Sequence, residues 1–378
     1  MSVWGKPLIL RPDGTATGPI ATFAGAGAPL RGLTAILPLV QLGSGTPDPS
    51  NIRPIIPYTG ITVNATKKNL FDEATAPIYN RYFYSTGGTY RWRSSSDSRS
   101  YIFRCKPSTT YTVTATSASL AIFRAGYITE HDLSSLTTTG PYIYGYTLLT
   151  GPGSITVQTG ADATYLVIQG TKAVMDARTA GVQVELGSSA ATVEAYAGQA
   201  ITEDWSGTLG QIAAANYDAL AGTLTVISPW WELDGTENWV TIGSLGDGTR
   251  YFRTSLGAYI HPSASSENRI CSHYPGASIT TSTTDIGFAG VYANSVTYLA
   301  FRPDLGVIPT ADDWKTFLTA QKTAGTPVQC SLVILSDYRT PTQLTPRSVN
   351  SYSGLNNVWS DAGDVAVRYA KQSMIYMS

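Results

Sequence analysis

Short segments in which apolar and polar residues alternate recur along most of this chain. Such a period of two places apolar side chains on one face of a β-strand. The alternation is clearest at 111–116, 154–158 and 182–186, whereas 165–169 is mostly apolar, as expected for a strand buried on both faces. Turn residues separate these segments at roughly 8–12-residue intervals, which is typical of antiparallel sandwiches. The sequence therefore predicts a mainly β protein with antiparallel, jelly-roll-like β-sandwich domains.

One segment near the C-terminus has the signals of a short helix instead. Thr310 can cap its N-terminus, acidic residues follow in the first turn, and Gly325 marks its end. Apolar side chains between these positions have helical spacing: Trp314, Phe317 and Leu318. The predicted helix spans 310–325.

The chain divides into five predicted regions. Repeated prolines, which fix φ and interrupt helices, indicate an extended N-terminal arm over 1–60. The strand patterns that follow predict a jelly-roll-like sandwich and then a second β-rich domain containing the helix. In order after the arm, the predicted regions are the sandwich at 61–199, a connector at 200–222, the second domain at 223–345, and a C-terminal closing strand and tail at 346–378.

Charged residues make up only 13% of the 378 residues, compared with about 25% in a typical soluble domain. Polar uncharged residues and tyrosine replace them, as is common in fibres and adhesins. A formal net charge of -1 gives no basic surface for nucleic acid, so no nucleic-acid partner is expected. The sequence has no run of 18 apolar residues, so no membrane insertion is expected either.

The residues that usually bind metals or form disulfides are few and scattered. Cys105, Cys271 and Cys330 are far apart and odd in number, which favours buried thiols over a disulfide framework. The histidines lack metal-ligand spacing: His131, His261 and His273. We therefore expect no metal and no cofactor. A weaker alternative is calcium held by Asp97 or by the acidic turn at 361–364.

An acidic cluster beside tryptophans is the clearest enzymatic candidate. Glu232, Asp234 and Glu237 lie near Trp230, Trp231 and Trp239, and glycan hydrolysis needs two facing carboxylates. The favoured interpretation is a solvated loop beside core tryptophans. No nucleophile elbow occurs in the sequence, so we predict no catalytic residues.

Aromatic and charged residues are concentrated between 79 and 99. Tyrosine and tryptophan offer flat faces to sugar rings, and arginine and aspartate can hydrogen-bond to hydroxyl groups. Within each of the pairs Tyr82/Tyr84 and Tyr90/Trp92, alternation predicts a shared strand face. A sandwich core or a protein interface would have a similar composition. The predicted ligand-binding residues are Tyr82, Tyr84, Tyr90, Trp92, Arg93 and Asp97.

Several motifs resemble those of structural proteins from tailed bacteriophages and prophages, associated with the tail, baseplate or head fibre. The segment GSGTPDPSNIRPI at 43–55 resembles an arm of these proteins. KNLFD at 68–72, QVELG at 183–187 and ATVEAY at 191–196 are similar to their jelly-roll modules of the carbohydrate-binding type. NNVWSDAGD at 356–364 resembles their closing motif.

This resemblance implies a non-enzymatic virion structural protein, associated with the tail, fibre or baseplate, that acts in assembly and in recognition of host-surface glycans. Its partners would be itself, in a symmetric oligomer such as a trimer, and other virion proteins. The arm and the apolar end at 374–377 would serve assembly. Because the first residues lack a signal-peptide pattern, we expect assembly in the host cytoplasm and location in the virion. The alternatives are a capsid-associated head fibre or decoration protein, a tailspike-type glycan depolymerase, and an exported bacterial adhesin.

Overall fold

Antiparallel β-sheet dominates the computed structural model, which describes residues 15–130, 133, 140–255, 269–293, 296–334 and 339–369. The first strands in chain order are β1 (Thr15–Gly18), β2 (Ile20–Ala26), β3 (Gly32–Leu37), β4 (Val40–Gln41), β5 (Ile55–Ile56), β6 (Gly60–Thr66), β7 (Ile78–Tyr79), β8 (Arg81–Thr86), β9 (Thr89–Ser94) and β10 (Ser98–Arg104). They are followed by β11 (Thr110–Ala115), β12 (Phe123–Ile128), β13 (Tyr142–Leu149), β14 (Gly153–Gln158), β15 (Tyr165–Thr171), helix α1 (Lys172–Asp176), β16 (Val182–Leu186) and β17 (Gly198–Asp204).

The remaining elements complete the mainly antiparallel architecture and confirm the predicted fold class. They are β18 (Ile212–Asp218), β19 (Thr223–Leu233), β20 (Val240–Ile242), β21 (Tyr251–Ser255), β22 (Arg269–Cys271), β23 (Gly287–Ala293), β24 (Val296–Arg302), helix α2 (Ala311–Thr323), β25 (Val328–Leu332), β26 (Pro341–Gln343), β27 (Ser353–Ser360) and β28 (Val365–Arg368).

The chain forms two compact units, and both are discontinuous in sequence. The first contains Met1–Leu33, Val63–Ile201 and Ser348–Ser378, and the second contains Thr34–Thr62 and Thr202–Arg347. The predicted arm is therefore divided between the units. The predicted connector at 200–222 contains a complete sheet strand, β18, because strand pairing joins segments far apart in sequence, which local patterns do not reveal.

The first unit is built around two sheets with a shared core. The larger sheet has the order β7-β10-β15-β12-β13-β9-β8, and the smaller has the order β14-β11-β16. Alternate residues of β11 point into the core, which also contains side chains of β15 and β12. The main inward side chains are Tyr111, Val113, Phe123, Leu166 and Ile168. Each such fully buried apolar side chain contributes roughly 1.5–3 kcal/mol, so this layer stabilises the sandwich.

The larger sheet curls so that its outer strand, β8, returns towards β15 and β12. Gln169 Oε1 accepts a hydrogen bond from Phe83 N at 2.9 Å, and Arg124 Nη1 donates to Phe83 O at 2.9 Å. The curled sheet encloses a second cluster of buried residues: Phe83, Trp92, Ile128, Ile143 and Val167. Side-chain hydrogen bonds and this cluster therefore hold the curl closed.

The terminal segments of the first unit form strands on one another. Thr15 in β1 pairs with Arg368 in β28, and Ile20 in β2 pairs with Trp359 in β27. Trp359 belongs to the sandwich core, which explains the tryptophan of the closing motif. Residues 15–26 are thus paired strands, whereas the sequence predicts an extended arm. The predicted assembly segment at 374–377 and residues 1–14 lie outside the described residues.

The second unit has a sheet containing the run β18-β19-β25-β22, and another of order β20-β21-β24-β23. Helix α2 contributes the fully buried Trp314 to the core between these elements. The predicted capping is confirmed, since Asp313 N donates to Thr310 Oγ1 at 3.1 Å and Thr310 N donates to Asp313 Oδ2 at 3.2 Å. Helix α1 in the first unit is not predicted. It spans five residues and its Thr171 side chain makes no cap, so it lacks a sequence signature.

Proline-rich residues 43–55 form an ordered loop in the second unit. The Arg53 guanidinium donates hydrogen bonds to the carbonyl groups of Leu42, Gly43 and Gly45 across the loop. Asp48 accepts hydrogen bonds from the backbone N–H groups of Ser50 and Asn51. A network of hydrogen bonds within the loop therefore adds to the backbone restraint that the prolines impose.

Candidate functional site

The β8–β9 hairpin determines where most of the predicted ligand-binding residues lie. In its register Tyr82 is opposite Arg93 and Tyr84 is opposite Arg91, so these four side chains share one sheet face. The Arg93 guanidinium lies 4.3 Å from the centre of the Tyr84 ring, within the range of a cation–π contact. Tyr90 and Trp92 are on the opposite face, inside the curl.

Contrary to the prediction, Trp92 does not belong to the ligand-binding site, because its side chain is 0% exposed and is part of the core of the curled sheet. Its ring packs against Tyr79 with a centroid distance of 5.1 Å. A ligand cannot stack on a side chain with no exposed surface. Alternation correctly separates the two faces of β9 but does not show which of them is enclosed by the curl.

An open groove runs along the mouth of the curled sheet, where β8 is the outer strand. It consists of two adjoining cavities of about 480 and 420 Å³, which share Ser98, Ile122 and Gln169. Tyr82, Tyr84 and Tyr90 line the larger cavity, and Asp97 lines the smaller. Four of the six predicted residues therefore border one groove, whereas Trp92 and Arg93 do not line it.

Two further side chains shape the larger cavity and are not predicted from the sequence. Tyr146 stacks on Tyr90 with a centroid distance of 3.9 Å and an interplanar angle of 22°. Arg124 lies beside them, and burial raises the pKa of Tyr146 against the opposing effect of the Arg124 charge. Alternation in YIYGY at 142–146 would place Tyr146 on the face of Tyr142 and Tyr144. A register shift between β12 and β13, at Gly145 with φ +59°, turns Tyr146 to the other face. No local pattern links it to β8, because strand order brings them together.

The smaller cavity ends beside helix α1. Asp97 is exposed in a turn where its N–H donates to Ser95 Oγ at 3.1 Å. Lys172 lines the same cavity and pairs with Asp176 at 2.9 Å, and Asp176 also accepts from Arg99 at 2.7 Å. Hydrogen bonding by Lys172 is the main cause that lowers the pKa of Asp176.

The groove combines flat aromatic surfaces with polar groups from different strands. Each cavity lies within the size range of small-molecule sites, roughly 300–1,000 Å³. Aromatic rings contact the apolar faces of sugars, while the Asp97 carboxylate and the Arg124 guanidinium offer hydrogen bonds to polar groups of a ligand. The arrangement is suited to binding a saccharide.

Two exposed tyrosines of β13 lie on the outer face of the same sheet, which is also the face of Tyr82 and Tyr84, because Tyr142 and Tyr84 are both opposite Arg91. Tyr142 and Tyr144 are 43% and 44% exposed, and the Arg91 guanidinium lies 3.7 Å from the centre of the Tyr142 ring. Neither tyrosine lines the groove. These side chains therefore provide matched controls for groove residues.

The acidic candidate at 232–237 is a turn held by its own carboxylates. Glu237 accepts hydrogen bonds from Asp234 N, from Gly235 N and from the indole of Trp239, each at 3.0 Å. Lys322 of α2 pairs with Glu232 at 3.2 Å and with Asp234 at 3.3 Å. Each carboxylate thus has local partners that fix the turn.

Within the described residues, no group of three or more acidic, histidine or cysteine side chains could hold a metal ion. The acidic turn at 361–364 instead receives the amino group of Lys106, which donates to Ala362 O at 3.0 Å and Gly363 O at 3.2 Å. An ammonium group on these carbonyls disfavours calcium there. Also within the described residues, no helix has the length and apolarity needed to cross a membrane.

The histidine and cysteine candidates within the described residues are buried in the protein interior. His273 is buried between Ser272 Oγ at 2.8 Å and Gln321 Oε1 at 3.3 Å, and burial lowers its pKa. His131 and His261 lie outside the described residues. All three cysteines are free and buried, as predicted: Cys105, Cys271 and Cys330.

Comparison with known proteins adds little to these observations. No known protein family matches this chain, and no curated protein matches it. The crystal structure of a hypothetical protein from Synechocystis aligns with 96% of this chain and 56% of that protein, with 10% sequence identity and a TM-score of 0.13. This chain thus spans about half the length of that protein, and a similarity this weak carries no argument about fold or function.

Proposed function

We propose that this chain is a non-enzymatic structural protein of a bacteriophage virion, associated with the tail, a tail fibre or the baseplate. In this proposal it assembles in the host cytoplasm as a symmetric trimer and joins other virion proteins. Its jelly-roll-like unit binds glycans on the host surface through the groove beside β8. The chain acts by binding and not by catalysis.

The groove is the observation that carries the binding part of this proposal. It presents aromatic side chains of three strands around polar groups, as in sites that bind sugar rings. The Tyr90–Tyr146 stack fixes two of these rings in place, so little side-chain entropy is lost when a ligand binds.

The structural part of the proposal is supported by the sequence motifs and by the composition. The arm motif forms the Arg53-centred loop, and the closing motif supplies Trp359 to the sandwich core. A surface with few charges and many polar uncharged groups suits a particle component outside the cell. A head fibre or decoration protein is the alternative location, because such proteins carry similar modules.

Depolymerase activity is the alternative reaction class. Its candidate carboxylates in the 232–237 turn are engaged by backbone N–H groups, Trp239 and Lys322. The proposal of binding without catalysis is consistent with those local roles. Release of reducing ends from a bound polysaccharide by the purified chain would overturn it.

Binding of purified full-length protein to an immobilised panel of bacterial surface polysaccharides tests the proposed function. We expect at least one polysaccharide to bind, and Tyr90→Ala to weaken that binding about tenfold, because Tyr90 lines the groove and stacks on Tyr146. Loss of one aromatic contact costs roughly 0.5–1.5 kcal/mol beyond its buried area. Tyr144→Ala is the matched control, because Tyr144 is an exposed tyrosine of the same sheet outside the groove.

Equal weakening by Tyr90→Ala and Tyr144→Ala would show that binding does not use the groove. Absence of binding across a panel that includes the polysaccharides of the phage's own host would overturn glycan recognition altogether. Circular dichroism of both variants would establish that they retain the β fold.

A further inference from the structure

The two cavities of the groove differ in charge. The residues that line the larger cavity include one charged side chain, Arg124 of β12. The smaller cavity contains Asp97 at its exposed end, and its Lys172 is already paired with Asp176. Asp176 also pairs with Arg99, so the charges beside α1 balance, whereas Arg124 is an unbalanced positive charge beside the stacked tyrosines.

Arg124 has neutral protein partners where a guanidinium usually has a carboxylate. Its Nη1 donates to Phe83 O at 2.9 Å and to Gln169 Oε1 at 3.4 Å, and its Nε is buried without a hydrogen-bond acceptor. In the described part of the chain, no Asp or Glu forms an ion pair with it. A guanidinium has five N–H donors, so donors on Arg124 exceed the acceptors that the protein supplies.

A partly buried cation without a counter-ion has lost hydration that hydrogen bonds to two neutral acceptors replace only in part. An anionic ligand group would restore this interaction, and a carboxylate matches the planar fork of a guanidinium. The tyrosine stack next to Arg124 would hold the ring that carries such a group. Asp97, at the other end of the groove, would accept hydrogen bonds from the free hydroxyl groups of a neutral sugar.

From these contacts we infer that the groove binds an acidic glycan, with the carboxylate of a uronic-acid-type residue on Arg124 and a neutral sugar towards Asp97. This inference rests on the proposed function and specifies its ligand class. Arg124 would be a specificity-determining residue, because it distinguishes an acidic sugar from the corresponding neutral hexose.

Carboxyl reduction tests the inference directly. The probes are capsular polysaccharides that contain uronic acids, each in native form and after carbodiimide-borohydride reduction, which converts the uronic acid to a neutral hexose and leaves phosphate groups intact. Affinities would be measured for the full-length wild-type protein, Arg124→Gln and Arg124→Lys. Gln keeps a donor near Phe83 O without the charge, and Lys keeps the charge without the planar fork.

We expect reduction to weaken wild-type binding about tenfold or more, as for loss of a hydrogen-bonded charge. Arg124→Gln should weaken binding of the native polysaccharide by a similar factor and change binding of the reduced form by less than about twofold. The affinity of Arg124→Lys for the native polysaccharide should lie between those of the wild-type protein and Arg124→Gln. If Arg124→Gln does not fold, the comparison of native and reduced probes on wild-type protein still decides the question.

Equal wild-type affinities for native and reduced polysaccharides would overturn the acidic-glycan inference and leave glycan binding intact. The acidic-glycan inference would also be overturned if polysaccharides that carry phosphate as well as uronic acid bind equally well before and after reduction. If neither form of any polysaccharide binds, the proposed glycan recognition fails, and this inference fails with it.

Discussion

Lys106 provides a quantitative test of the first unit, because its amino group is charged in a place where water is largely excluded. The residue is 8% exposed and connects β10 to β11. Burial, followed by repulsion from Arg104, lowers the pKa of its amino group from 10.5 to about 8, while Asp361 and Asp364 act in the opposite direction. In the unfolded chain this amino group regains its ordinary pKa.

The sign of the effect follows from proton linkage. Between about pH 8 and pH 10.5 the unfolded chain holds a proton on Lys106 that the folded chain has released. Stability therefore rises with pH in this window, and the gain is complete above the unfolded pKa. At 1.36 kcal/mol per pKa unit the whole window corresponds to roughly 3 kcal/mol, of which about 2 kcal/mol is gained between about pH 7.5 and pH 9.5.

Urea unfolding of the wild-type protein and of Lys106→Met, followed by circular dichroism at several pH values, measures this contribution. Methionine has a similar length and does not titrate, so subtraction removes the pH dependence of other groups. We expect the wild-type free energy of unfolding to rise relative to that of Lys106→Met by about 2 kcal/mol from pH 7.5 to pH 9.5. A difference that stays constant, or falls with pH, would refute the described environment of Lys106.

Two further substitutions test the packing of each unit. Gly140 has φ +64°, and a Cβ there would lie 1.8 Å from Trp92 O. Gly140→Ala should therefore destabilise the first unit by more than about 2 kcal/mol. Gly87 has φ +57° but open space around it, so the control Gly87→Ala should cost only about 1–2 kcal/mol. Equal melting temperatures for these two variants would contradict the close approach at Gly140. Trp314→Ala should lower the free energy of unfolding of the second unit by about 3–5 kcal/mol in urea titrations, because the ring is fully buried against Phe301 and Trp239. A loss below about 1 kcal/mol would contradict this core.

Elements with a strong local pattern could be predicted from the sequence. The alternating segments correspond to β11, β14 and β16, and the apolar segment corresponds to β15. The capping residues of α2 placed its start at the observed position. These signals depend on neighbours in sequence, so no knowledge of the fold is needed to interpret them.

Features that depend on strand order could not be predicted in the same way. The curl of the larger sheet is closed by Phe83, Arg124 and Gln169, which come from three strands far apart in the chain. Because the curl decides which face of β9 is enclosed, the sequence did not distinguish the buried Trp92 from the groove residue Tyr90. Arg124 and Tyr146 enter the groove for the same reason.

The division of the chain into two units could not be predicted from local sequence patterns either. Strands β1 and β2 pair with β28 and β27 from the other end of the chain, so an apparent arm is part of a sheet. Prolines in this region restrict the backbone but do not specify a partner. Pairing over more than 300 residues leaves no periodic signal near either strand.

The proposed location of this chain in the tail of a phage particle can be tested by immunogold labelling. Gold-labelled antibodies against this chain would be applied to intact phage particles released from the producing host and viewed by electron microscopy. We expect gold at the tail, its fibres or the baseplate, at positions related by the symmetry of the oligomer. Gold on the head would contradict the tail assignment, and unlabelled particles in a lysate that contains the accessible chain would contradict a virion role.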